Sequence, residues 1–158
     1  MATHQRTKGI ILQRRDVGEY DRVITAYTQD FGKLKLVAIS ARKITSKLRG
    51  GLEPLCLSEL EFIEGRSRLV VTDAKSYERY GIIRGDLARL QTAFQVLDSV
   101  DRLVQGQEAD LNIWELLSET LSFLNNSLVI PQEALSQFNP RFFALLGYGG
   151  ITKNYATR

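Results

Sequence analysis

The hydrophobic pattern of this chain changes period near residue 80. Before that point, apolar residues come in short runs or alternate with polar ones. Gly9 to Arg14 is an apolar run entered and left by basic residues. Asp21 to Thr28 is rich in β-branched and aromatic side chains, with Val23, Ile24, Thr25 and Tyr27, and predicts a second strand. Asp30-Phe31-Gly32-Lys33 supplies a turn in which Gly32 can take positive φ. From Lys33 to Ile39 the alternation puts Lys33 and Lys35 on one side and Leu34, Leu36 and Ala38 on the other. Leu55 to Ile63 predicts a fourth strand, Glu64-Gly65-Arg66-Ser67 a hairpin turn, and Leu69 to Thr72 the start of a fifth. Five short strands in so few residues predict a small closed barrel; an open sheet would leave edges to protect. Ser40 to Glu53 interrupts the strands as a long irregular loop, too polar to belong to a core. Loops of that length in compact domains are often functional.

Beyond residue 80 the period becomes helical. Asp86 can cap a helix whose apolar positions are Leu87, Leu90, Phe94, Leu97, Val100, Leu103 and Val104. Asp110 can cap a second, with Ile113, Trp114, Leu117, Leu121 and Leu124. A third spans Gln132 to Leu146 through Leu135, Phe138, Phe142, Leu145 and Leu146, with Pro140 expected to break it and Gly147, Gly149 and Gly150 to end it. The class is therefore α+β: a β-barrel domain over residues 1–80 and a helical domain over 81–158.

Charge sharpens this division. Residues 1–80 carry 15 Lys and Arg against 10 Asp and Glu, and residues 81–158 carry 6 against 8, so a net +5 faces a net −2. No acidic residue falls between Asp30 and Glu53, while Lys33, Lys35, Arg42, Lys43, Lys47 and Arg49 do. Arginine suits bidentate phosphate contacts. The small residues Ser40, Ala41, Ser46, Gly50 and Gly51 can bring backbone amides near phosphates. Arg66 and Arg68 extend the same surface. A positively charged barrel face with a basic loop is how OB folds hold single strands. A solvated lysine face explains the charge equally well on composition alone. Base stacking would need exposed rings, and Tyr20, Tyr27 and Phe31 are the nearest candidates; each fits a core position as well.

Catalytic patterns are absent from the sequence. The only histidine, His4, stands in a polar N-terminal segment expected to be disordered. A histidine-based triad or metal site lacks its key residue. There is no phosphate-binding Gly-x-x-x-x-Gly-Lys motif, and Gly147-Tyr148-Gly149 follows a helix, where it reads as a helix stop. The single cysteine, Cys56, lies between Leu55 and Leu57 and is expected to be a buried small hydrophobe. It permits neither an internal disulfide nor a multi-thiolate zinc cluster. No secretory signal is visible at the N-terminus and no apolar run reaches 18 residues. No cofactor, metal or membrane association is expected.

Several segments, taken in order, resemble the N-terminal domain of the RecO recombination mediators. They are Lys8-Gly9-Ile10-Ile11-Leu12, Gly18-Glu19-Tyr20-Asp21-Arg22, Thr28 with Phe31-Gly32-Lys33, Ala41-Arg42-Lys43, and Ser46-Lys47-Leu48-Arg49-Gly50-Gly51-Leu52 with Pro54. Asp86-Leu87-Ala88-Arg89-Leu90 and the stretch from Phe142 through Leu145-Leu146-Gly147-Tyr148 extend the resemblance into the helical half. It implies a five-stranded OB-fold barrel followed by a helical domain. It also implies non-catalytic binding of single- and double-stranded DNA, strand annealing, and a bacterial, cytoplasmic, nucleoid-associated setting. The implied partners are RecR, the acidic tail of single-stranded-DNA-binding protein and, indirectly, RecA. By position, the DNA-contacting loop of the family falls on Arg42, Lys43, Lys47 and Arg49. Family members usually carry glycine before the Ala-Arg pair, where Ser40 stands here. They also usually continue past the Leu-Leu-Gly-Tyr segment, often with a cysteine zinc cluster, so the helical domain is expected to be a truncated or naturally short form.

The apolar cluster of Phe142, Phe143, Leu145 and Leu146 beside Arg141 is a candidate groove for that acidic tail, with Arg141 and Phe142 as its contacts. The competing readings are a protein–protein adaptor that uses the barrel, an RNA-binding OB protein and, last, an enzyme. Salt-dependent DNA affinity separates the first from DNA binding, and a DNA–RNA comparison tests the second.

Overall fold

The computed structural model describes residues 3–106 and 108–147. The glycines Gly149 and Gly150 and the Tyr148 of the expected helix stop lie outside them. The chain divides into two compact units, one holding the residues up to Arg79 together with 105–109, the other Tyr80–Val104 and the described residues from Asp110 on.

The first unit is a closed five-stranded barrel. Its strands are β1 (His4–Val17), β2 (Asp21–Thr28), β3 (Gly32–Ala38), β4 (Leu57–Glu64) and β5 (Leu69–Glu78). Around the barrel they run β1-β2-β3-β5-β4, and β4 returns to β1. All pairings are antiparallel except β3 with β5. This is the OB-fold arrangement. Closure depends on β1, which is long enough to serve two neighbours: its first half pairs with β4 and its second with β2. Gly9 lies where the two pairings overlap, and a Cβ there would come within 3.0 Å of the Leu60 side chain. A register shift between Ile11 and Gln13 then bends the strand around the barrel.

Two expectations for this half need correction. The polar N-terminal segment is not disordered: His4 opens β1 opposite Ile63, with its Nδ1 2.6 Å from Glu61 Oε1. Arg6 reaches the same carboxylate at 3.1 Å. An outward-facing strand needs polar residues, so polarity there signals an outer face. The fifth strand starts at Leu69, as expected, and runs to Glu78. The Ser40–Glu53 loop is not wholly outside the core: Ala41 and Leu52 belong to the buried cluster formed with Ile11, Ile24, Leu36, Leu60 and Phe62, and Leu48 packs against it. The loop is held to the barrel by a 3-10 turn at Gly50–Leu52. A Cβ on Gly51 would meet the Ala74 carbonyl at 2.6 Å, so only glycine allows that approach. Ser58 Oγ donates to the Gly51 carbonyl at 2.6 Å. Cys56 is buried, as expected, beside the hydroxyls of Ser58 and Ser76.

The second unit consists of α1 (Gly81–Arg84), α2 (Leu87–Leu103), α3 (Leu111–Leu124) and α4 (Pro131–Leu145). Asp86 and Asp110 cap α2 and α3 through their carboxylates. The buried positions of α3 include all five expected residues. The buried face of α2 is rotated from the expected one. Leu87 is 70% exposed, and Phe94 and Leu103 are also exposed, whereas Arg89, Thr92, Ala93, Val96, Leu97 and Val100 are buried. The cause is Arg89. Its guanidinium donates to the Leu124 and Ser127 carbonyls, each at 3.0 Å, and pairs with Asp86. The Leu124 carbonyl at the end of α3 and the Ser127 carbonyl beyond it thereby gain partners. Pro140 does not break α4. It lies on the exposed side, where the carbonyl freed by its missing N–H need not be buried. No helix among the described residues is long and apolar enough to cross a membrane.

Candidate nucleic-acid interface

On the outer face of the barrel, Val23 of β2 stands directly opposite Val37 of β3. These two form an apolar floor, bordered by Leu69 at the start of β5, which packs against the barrel core. Lys35 lies two residues before Val37 on the same face of β3. The β4–β5 hairpin closes the far side, its turn held by a 2.7 Å bond from the Gly65 amide to the Arg68 carbonyl. The result is a groove of about 430 Å3 lined by Val23, Lys35, Val37, Glu64 to Arg68 and Leu69. Three of the expected cations, Lys35, Arg66 and Arg68, therefore share one groove, with Glu64 the single acid at its lip. In OB folds the face of β2 and β3, with the β1–β2 and β4–β5 loops, is where oligonucleotides bind.

A second set of cations is organised by the β1–β2 turn. The Arg42 amide donates to the Tyr20 carbonyl at 2.9 Å, and its guanidinium to the Gly18 carbonyl at 3.0 Å. Asp16 accepts from Arg22 at 3.0 Å and lies 3.6 Å from Arg42. The Arg22 hydrogen bond, aided by the Arg42 charge and opposed by partial desolvation, holds the Asp16 carboxyl below its usual value. The loop is clasped at both ends. The Ser40 amide donates to Asp21 at 2.7 Å, and Glu53 bonds to Arg14 and lies near Arg22. Between the clasps, Lys43, Lys47 and Arg49 are exposed. Lys43 Nζ sits 5.0 Å from the centroid of the Tyr20 ring, a cation–π distance.

The barrel cations thus fall into two groups. Arg6, Arg14, Arg22 and Arg42 are matched by carboxylates of the chain. Lys35, Lys43, Lys47, Arg49, Arg66 and Arg68 form no ion pair with a carboxylate among the described residues; Lys8, Arg15 and Lys75 form none either but do not line the groove. Arg42, grouped by position with the loop's contacts, is committed to its own turn. Lys33 is half-buried and outside the groove. Of the candidate stacking rings, Tyr27 is buried and Phe31 packs edge-on against Phe62 at 5.5 Å; only Tyr20 is exposed. The groove floor escaped the sequence reading. Its signal was apolar Val23 and Val37 at positions whose alternation demands an outer face.

In the helical unit Phe142 is 1% exposed and packs against Phe138 at 4.9 Å. It is a core residue, not the wall of an open groove. Arg141 is exposed and paired with Glu119 at 3.2 Å. It lines a small depression with Glu119, Thr120, Phe123, Ala134 and Gln137.

Residues 1–80 match the family model described as the N-terminal domain of recombination protein O. The chain belongs to the RecO family. It is 38% identical to the DNA repair protein RecO of Heliobacterium modesticaldum over 72% of this chain and 44% of that protein. With the RecO of Moorella thermoacetica the identity is 34% over 89% of this chain and 52% of the relative. With that of a Roseiflexus species it is 34% over 90% and 50%. The chain spans about half the length of these curated relatives. For a RecO-family chain, then, the OB barrel carries a cation-rimmed groove on the face that OB folds use for nucleic acid.

Proposed function

We propose that this chain is a non-catalytic DNA-binding protein of recombinational repair whose OB barrel holds single-stranded and, through its phosphates, double-stranded DNA. The observation that carries this reading is the set of cations without carboxylate partners on the groove and its neighbouring loop: Lys35, Lys43, Lys47, Arg49, Arg66 and Arg68. A polyanion neutralises such charges without first breaking an internal ion pair. The apolar floor of Val23 and Val37 suits sugar and base edges. Lys33 and Arg42 play supporting parts, Arg42 by fixing the loop.

The names of the relatives and the resemblance add the rest of the reading. The names support a role in DNA repair; the resemblance implies annealing of strands and loading of RecA together with RecR, in the bacterial cytoplasm. The resemblance also implies capture of the acidic tail of single-stranded-DNA-binding protein by the helical unit. There Arg141 would take the carboxylate, since a surface pair such as Arg141–Glu119 exchanges partners at little cost. Phe123 would supply the apolar contact in place of the buried Phe142.

The test is a fluorescence-anisotropy titration of a labelled single-stranded oligonucleotide at several salt concentrations. If four to six phosphates are neutralised, log affinity falls against log salt with a slope of roughly −3 to −4, from about −0.7 per contact. Salt-independent affinity, or none at low salt, refutes the reading and favours the adaptor. Tighter binding of a matched RNA favours the RNA-binding alternative.

A further inference from the structure

We propose that Tyr20 is a preformed platform on which one unpaired base stacks, and that Lys43 leaves the ring face to bind the phosphate beside that base. This rests on the DNA-binding reading and adds a contact that charge alone does not supply. Tyr20 closes the β1–β2 turn, which bends through Gly18 at φ +62°. Its ring is 48% exposed, yet its backbone is fixed, because its carbonyl accepts from the Arg42 amide at 2.9 Å. Arg42 also bonds the Gly18 carbonyl and faces Asp16. An aromatic ring left half in water on an ordered backbone loses little further entropy on binding.

Its surroundings select what it can bind. Lys43 Nζ already rests on the ring at 5.0 Å, so the face is accessible and electron-rich toward a partner above it. The displaced Lys43 ammonium then lies within reach of the flanking phosphate. Tyr77 is the contrasting case. It is 53% exposed, but its hydroxyl donates to Glu59 at 2.8 Å and it stands on the barrel face bearing Glu59 and Glu61. The hydrogen bond to Glu59, and that carboxylate's charge, raise the Tyr77 phenol above its usual value. A polyanion is disfavoured there. Tyr77 also carries a cation, with Lys8 Nζ 5.2 Å from its ring centroid, but its hydroxyl is tied to Glu59; Tyr20 is the exposed ring of the barrel with a cation on its face and no carboxylate hydrogen bond among the described residues.

The experiment uses the full chain and two probes: a labelled oligo-dT strand carrying one 2-aminopurine, and a blunt duplex. The wild type quenches 2-aminopurine on binding. Tyr20→Ala is expected to lose that quenching and about 5- to 150-fold of single-strand affinity, the range for one stacked base, with the salt slope unchanged. Tyr20→Trp keeps both signals. Duplex affinity changes less than about twofold, because paired bases offer no free face. Lys43→Ala instead makes the salt slope shallower by about 0.7. Tyr20→Leu, which keeps bulk without a π face, replaces Tyr20→Ala if circular dichroism shows the latter unfolded. Unchanged affinity and quenching in these variants overturns the platform while salt-dependent binding keeps the DNA reading. Salt-independent binding of the wild type overturns the DNA reading itself.

Discussion

Leu52→Ala tests whether the basic loop is anchored in the barrel core. Leu52 is 1% exposed and belongs to the same buried cluster as Ala41, Leu60 and Ala74. Truncating a buried leucine costs about 2–5 kcal/mol, the spread reflecting how far the site collapses. Leu52 sits on a short 3-10 turn, which relaxes more readily than a strand. The lower half of that range, about 2–3 kcal/mol, is expected. For a chain of this size each kcal/mol moves the melting temperature by about 2–4 °C. Thermal unfolding followed by circular dichroism should therefore fall by about 5–10 °C. Ile44, 91% exposed in the same loop, is the control; Ile44→Ala should stay within about 0.5 kcal/mol of wild type. A Leu52→Ala shift under about 2 °C, or an equal shift for Ile44→Ala, would refute the anchoring.

Two other perturbations probe the clasps of that loop. Ser40 adopts φ +59°, where a non-glycine residue is strained by about 1–2 kcal/mol. Ser40→Gly relieves that strain but adds about 0.4–1 kcal/mol of unfolded-state entropy, so melting should show a gain of up to about 1.5 kcal/mol; a clear loss contradicts the strain. The Asp16 carboxyl is held low, first by the Arg22 hydrogen bond. A depressed folded value means the ion pair stabilises above the ordinary value of 3.8 and is lost as pH falls through the lowered one. Asp16→Asn should then melt slightly below wild type at pH 7, and the gap should close as pH falls through the lowered Asp16 value. A difference that persists in acid would show that the effect is not the charge.

Much of the fold was legible because its signals are periodic. The limits of β2, the alternation of β3 and the capping aspartates of α2 and α3 all follow from local pattern. What escaped is not periodic. Ala41 and Leu52 are isolated apolar residues in a polar loop, and only the closed barrel shows the core they enter. The first half of β1 is polar because its outer face meets Glu59 and Glu61 of β4. The α2 face was rotated because a buried arginine serves carbonyls 35 and 38 residues away. At the candidate site, the cations could be counted from the sequence. Which of them are matched by carboxylates, and that Lys35 joins the hairpin arginines over an apolar floor, depends on strand order.

The central claim is that the unpaired cations of the groove hold phosphates. The most direct measurement compares the salt dependence of single-strand binding for wild type and the Lys35→Ala, Arg66→Ala, Arg68→Ala triple variant. All three side chains are on the rim of the groove, so the variant should melt with wild type. Losing three contacts at about 0.7 each should bring the slope from roughly −4 to roughly −2. A weakened affinity with that shallower slope is the predicted result; an affinity and slope equal to wild type in a folded triple variant would contradict the account.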